Sequence, residues 1–261
     1  MRVSRAADPD SICSVFEDLA RRVDGLEFSS PVAHVYNPLR YAREGFFGYL
    51  ERYAAAPRRG ASAKTPRGRS LFLGMNPGPW GMAQTGVPFG TVSNARDWLG
   101  LGGARSERPD GEHPKRPVLG FECPREEVSG SRFWGWAQER FGTPESFFAS
   151  HFVLNYCPLL FLDRGGRNLT PDKLRADERG PLLEACDEAV SRFVEAERPV
   201  RIVGIGVFAE QCARRIVEGL GLDTAVGRVL HPSPASPLAN RGWAEAATRQ
   251  LREQGIEVPG P

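Results

Sequence analysis

The chain has 261 residues, 41% of them hydrophobic and 25% charged, a length and balance that suit a single domain over residues 1–261 with an ordinary buried core. A formal charge of +2 and a pI near 8.3 permit an anionic partner without announcing one. Cys13, Cys123, Cys157, Cys186 and Cys212 contain no C-x-x-C pair, and neither a signal-peptide core nor a membrane-length apolar run is present, so a reduced, cytoplasmic protein without a metal centre is expected.

Helix-like apolar spacing runs through residues 11–23 and 41–54, and PRRGASAKTPRGR (57–69) reads as a basic, turn-rich, solvated connection. A compact apolar segment, SLFLG (70–74), leads into GMNPGPWGMAQTGVPFG (74–90). Five glycines and three prolines there cannot continue a helix or a ladder, so the backbone follows a specified path, either a pocket wall or a long structural loop. Residues 102–115 form another Gly/Pro/charge loop. Beyond it the pattern predicts helix 132–141, strand 152–156, helix 178–196, strand 201–206, helix 207–220, strand 227–230 and helix 239–254, the last with Trp243, Ala247 and Leu251 on one face. Apolar segments alternating with helical ones predict an α/β fold: three layers, with a central, mostly parallel four-stranded sheet flanked by helices. No internal repeat is present.

Ligands of open α/β sheets sit beyond the carboxyl ends of the strands. Asn76, Asn155 and His231 each follow or end a predicted strand, so the fold reading predicts that they meet at one cleft. Taken singly, each has an ordinary alternative. Asn155 can tie a strand end to a loop, Asn76 can be the turn residue of Asn-Pro, an isolated Phe89 can be core, and the prolines after His231 can form a turn and helix cap. His34, His113 and His151 lack a comparable setting and read as structural or surface groups.

Several motifs together carry more: GMNPGPWGMAQTGVPFG, ARDWLG, HPKRPVLG, SGSRFWGW, NYCPLLFL, GRNLTP and HPSPASPLANRGW. From about Tyr36 to Leu251 the chain resembles the single-strand-selective monofunctional uracil-DNA glycosylases of the uracil-DNA glycosylase superfamily. The resemblance implies a uracil-DNA glycosylase-like fold and hydrolysis of the bond joining uracil, or 5-hydroxymethyluracil, to deoxyribose in single- and double-stranded DNA. It also implies a monomer without cofactor or metal, initiating base-excision repair at the nucleoid, or in the nucleus of a eukaryote. By motif position, Asn76 holds the attacking water and His231 hydrogen-bonds the O2 of the leaving base. Asn155 reads N3–H and O4, Phe89 stacks on the base, and Met75, Gly78 and Met82 lie close to it. Ser233, Pro234, Ala235 and Ser236 form the DNA-wedging loop, with Asn240 and Arg241 at the start of the helix after it. The chain departs from the pattern at Ala235-Ser236, where vertebrate members carry Arg-Asn, and at Trp80, where many have Phe.

A stacked base hides its glycosidic carbon, so the nucleotide must be extruded at a cost of a few kcal/mol, least in single strands. An asparagine amide accepts from uracil N3–H and donates to O4, whereas cytosine presents the reverse pattern. Two alternatives keep the cleft: a non-catalytic module for single-stranded or damaged DNA, and a glycosylase for deaminated purines. A nucleotide phosphate loop is disfavoured, since neither G-x-x-x-x-G-K-[ST] nor G-x-G-x-x-G follows the first strand.

Overall fold

The computed structural model describes residues 9–54 and 68–260. In chain order its elements are α1 (Pro9–Asp24), β1 (His34–Tyr36), α2 (Pro38–Tyr41), α3 (Arg43–Tyr53), β2 (Ser70–Gly74), α4 (Met82–Thr85), α5 (Val128–Phe141), α6 (Pro144–Phe148), β3 (His151–Asn155), β4 (Leu160–Leu162), β5 (Asn168–Leu169), α7 (Ala176–Glu197), β6 (Arg201–Ile205), α8 (Val207–Gly219), β7 (Ala225–Val229) and α9 (Trp243–Glu253).

The four predicted apolar segments form one all-parallel sheet in the order β3-β2-β6-β7. Every residue of β2 and β3 is buried, as a sheet covered on both faces requires. Alternation assigns the covers. Phe72 packs against Phe133 and Trp136 of α5 and Phe147 of α6. Phe152, paired with Leu71 and therefore on the opposite face, packs against Phe193 of α7. One layer thus contains α5, α6 and the adjoining α9, and the other contains α1, α7 and α8.

Several boundaries differ from the sequence reading. The 41–54 segment divides into α2 and α3 at Ala42, whose backbone (φ −107°, ψ 33°) leaves the helical region. α5 begins at Val128, not Arg132: Ser129 and Gly130, weak helix formers, lie inside it and are buried, Gly130 close against Phe89 O. The 239–254 segment is a 3₁₀ turn (Ala239–Arg241) followed by α9, divided at Gly242 with φ 127°. A helix N-terminus at Ala239 and Asn240 is therefore not formed. A second, antiparallel sheet, β1-β4-β5, has strands too short for a period-two pattern to reveal.

Residues 57–67 of the basic connection lie outside the described residues. Arg69, at its end, is not solvated: its side chain is 2% exposed and pairs with Glu197 (4% exposed) at 2.7 Å. Of the remaining histidines, His113 and His151 are buried and a ring nitrogen of His34 meets Gly111 O, in keeping with structural roles. Among the described residues, no helix is long and apolar enough to cross a membrane.

Candidate active site

The carboxyl edge of the parallel sheet opens into a cleft of about 620 Å³. Its lining includes Met75, Asn76, Gly78, Met82, Phe89, Asn155, His231, Ser233 and Pro234, so all seven residues assigned to catalysis and base binding meet in one place. Ala235, Ser236, Asn240 and Arg241 lie on the adjoining loop and turn rather than in the lining.

The β2–β3 ladder carries the first wall. Beyond the strand ends it continues through Tyr156 N–H to Gly74 O and Cys157 N–H to Met75 O, both 2.9 Å. The Asn76 amide N–H donates to Leu159 O at 3.2 Å, with a longer contact to Pro77 O at 3.4 Å. That orients the side chain and leaves its oxygen as the acceptor for a water molecule. Gln84 anchors the glycine-rich loop, its amide donating to Pro79 O and Pro117 O (2.9 Å each) and accepting from Leu119 N–H at 2.8 Å.

Asn155 ends β3, 7% exposed. Its Nδ2 faces the Met82 sulfur at 3.2 Å, a weak acceptor. Its Oδ1 is buried without a partner among the described residues. A buried acceptor left without a donor costs about 1–3 kcal/mol, so this oxygen is suited to receive an N–H from a ligand. Asn168 Oδ1, another buried oxygen in the lining, is likewise unmatched, its amide N–H reaching Pro77 O at 3.4 Å.

Phe89 has φ 56°, a conformation that costs a bulky residue about 1–3 kcal/mol and persists only where neighbours impose it. The neighbours are evident. Trp134 Nε1 donates to Pro88 O at 3.1 Å and Thr85 Oγ1 to Gly90 O at 2.7 Å. Phe133 stacks on the Phe89 ring at 5.3 Å with planes 26° apart. The ring is thus held as a platform, 6.2 Å between centroids from His231.

His231 follows β7. The backbone before it is clamped by α9: Leu230 N–H donates to Gln250 Oε1 at 2.8 Å and Trp243 Nε1 to Leu230 O at 2.6 Å. Burial pushes its pKa down from 6.5 to about 4, so the ring is neutral at pH 7 and can present one N–H. The protonation state, unreadable in the sequence, follows from this desolvation.

Beside Asn168 and Arg125 of the lining, two residues that shape the site escaped the sequence reading. Glu127, just before α5, accepts from Ser129 Oγ at 3.1 Å and Trp80 N–H at 3.3 Å. Its carboxylate occupies the place a Cβ on Gly78 would need. Burial raises its pKa. Arg132 of α5 donates to Pro232 O (3.1 Å), Ser233 O (3.4 Å) and Asn240 Oδ1 (2.8 Å), while Asn240 Nδ2 donates to Pro234 O at 2.9 Å. The Asn240 side chain therefore shapes the loop. Neither residue had a signal: a lone Glu or Arg at a helix start has many uses.

No protein-family model matches the chain. It is 52% identical over 231 residues to the single-strand selective monofunctional uracil-DNA glycosylase of Rattus norvegicus, covering 88% of this chain and 79% of that protein. To the like-named protein of Bos taurus it is also 52% identical over 231 residues, 88% of this chain and 81% of that one. A crystal structure of wild-type Pedobacter heparinus SMUG2 superposes with a TM-score of 0.63 at 14% identity, over 94% of this chain and 97% of that one, which bears on the fold. With half its residues shared along most of its length, and a cleft of this composition at the sheet edge, the chain belongs to the single-strand selective monofunctional uracil-DNA glycosylase family.

Proposed function

We propose that this cleft hydrolyses the N-glycosidic bond of uracil in DNA, and of 5-hydroxymethyluracil, as the first step of base-excision repair. Membership of a uracil-DNA glycosylase family gives the reaction class. The observation that carries the assignment of residues is the unmatched, buried Asn155 Oδ1 beside the Phe89 platform. An extruded uracil stacks on Phe89, gives N3–H to Asn155 Oδ1 and accepts at O4 from Asn155 Nδ2 in exchange for its weak sulfur contact. Stacking of this kind contributes roughly 1–3 kcal/mol per base. Met75, Gly78 and Met82 close the rim around the base.

As the bond breaks, charge spreads over the leaving base, and neutral His231 donates to O2. A donor aimed at developing charge contributes about 3–4 kcal/mol. Asn76, whose N–H is engaged, holds water by its oxygen. A neutral amide is no strong base, but an oxocarbenium-like transition state needs placement of the water more than removal of its proton. Ser233, Pro234, Ala235 and Ser236 meet the DNA where the base has left, and Arg241 contacts phosphate. All these residues belong to one chain, so a monomer acting on single strands and duplexes suffices, at the nucleoid or in a nucleus.

The test is a release assay across uracil, 5-hydroxymethyluracil, hypoxanthine, xanthine and thymine in both strand forms, with Asn76→Ala and His231→Ala beside the parent. Uracil release that drops by at least about two decades in each variant, with unchanged circular dichroism, supports the assignment. Binding without any abasic product in the parent would make the chain a DNA-binding module instead.

A further inference from the structure

The mouth of the cleft carries a feature outside the roles given above. Trp80 lies in the lining, with the Arg125 guanidinium 4.1 Å from its ring centroid and that of Arg116 5.3 Å away. Stacking engages the face of a guanidinium and leaves the N–H donors in its plane for other partners. Arg125 is exposed, and its side chain makes no hydrogen bond or ion pair among the described residues. Arg116 donates through Nε to Gly166 O at 2.8 Å and through Nη1 to Lys115 O at 3.1 Å, both neutral acceptors. The nearby acids have other partners: Glu126 accepts from Ser131 Oγ at 3.2 Å, Glu112 accepts from Val118 N–H and faces Arg108 at 3.8 Å, and Glu127, in the same lining, accepts from Ser129 Oγ at 3.1 Å and Trp80 N–H at 3.3 Å. Two cations, one without a hydrogen-bonding partner among the described residues and one bonded only to carbonyls, thus lie against one aromatic ring at the entrance to the pocket.

We infer that Trp80, Arg125 and Arg116 form a subsite for the DNA strand adjoining the extruded nucleotide, the two guanidinium groups receiving its phosphates. The inference rests on the proposed function for the identity of the ligand. Continuity is the reason for choosing a nucleic-acid strand: Trp80 and Arg125 line the same cleft as Asn76, Phe89 and Asn155, so a strand delivering a nucleotide to the pocket passes them. Arg132 cannot take this part, since its donors hold the 232–240 loop. Ala235 brings no cation either. With Arg241 given to phosphate on the loop side, Arg116 and Arg125 supply the cations on the Trp80 side of the entrance.

The experiment is fluorescence anisotropy of an unmodified single-stranded oligonucleotide of about 15 nucleotides with the parent, Arg125→Ala, Arg116→Ala and Arg125→Lys across a salt series. Each alanine variant is expected to bind several-fold more weakly at low salt and to lower the slope of log affinity against log salt by about 0.7, the single-strand value for one lost phosphate contact. Arg125→Lys should keep most of the slope. Parental affinities and slopes in both alanine variants would overturn the subsite. Uracil release measured in parallel separates the two claims: slopes that fall while the parent releases no base uphold the subsite and sink the glycosylase reading, and release with unchanged slopes does the reverse.

Discussion

Gly74 and Asn155 are register partners across β2 and β3, and a Cβ on Gly74 would lie 2.6 Å from Phe89 Cε2 and closer still to Asn155 Oδ1. The two groups that hold the base in our proposal therefore share the space that this glycine leaves open. Gly74→Ala is expected to push both aside. Misplacement of about 1 Å costs on the order of a hundredfold in rate, so uracil release should fall by at least about tenfold while the sheet persists. Steady-state release beside a thermal melt checks this, and parental kinetics would show that the space is slack.

The lone oxygen of Asn155 makes a second expectation, in stability rather than rate. Asn155→Leu removes a buried unmatched acceptor, so the free energy of unfolding should stay level or rise by about 1 kcal/mol. Base release should be lost. Urea denaturation and a release assay on one preparation suffice, and a destabilised variant would mean that Asn155 serves the strand end after all.

His231 gives a pH dependence with a definite sign. Its folded pKa, about 4, lies below the ordinary 6.5, so below pH 6.5 the unfolded chain takes up a proton that the fold refuses. Its share of stability is complete above that value and is lost as pH falls toward 4, at most about 3 kcal/mol in all. In His231→Gln this share is absent, so the parent should lose more stability than the variant between pH 7 and 4.5. Histidine NMR of the parent should place this midpoint well under 6.5, and one above 7 would remove the neutral-donor role.

Ala235→Arg restores a long cation at the tip of the loop. It should speed release from duplex more than from single strands, because only the duplex leaves a gap to fill. Equal changes in both would count against a wedge at this position.

Much of this was legible beforehand, for identifiable reasons. The runs SLFLG, FVLNY and RIVGIG are buried on both faces, so they stand out as apolar blocks, and the positions after them are where a parallel sheet places ligands. That logic alone brings Asn76, Asn155 and His231 to one rim. The alternation of β1, β4 and β5 was invisible at two or three residues each. Arg69 looked like the end of a solvated basic run because nothing local marks its partner Glu197, 128 residues away. Glu127 and Arg132 depend on loop shapes that composition cannot encode.

The ties from Arg132 to Pro232, Ser233 and Asn240 join the loop that meets DNA in our proposal to the helix that also carries Phe133, the ring beneath Phe89. Fingertip and palm belong to one stiff piece. Such a piece has little disorder left to surrender when it meets a strand, and equally little give with which to follow a helix that resists. In our proposal, then, nucleotides that have already swung free are the favoured substrates.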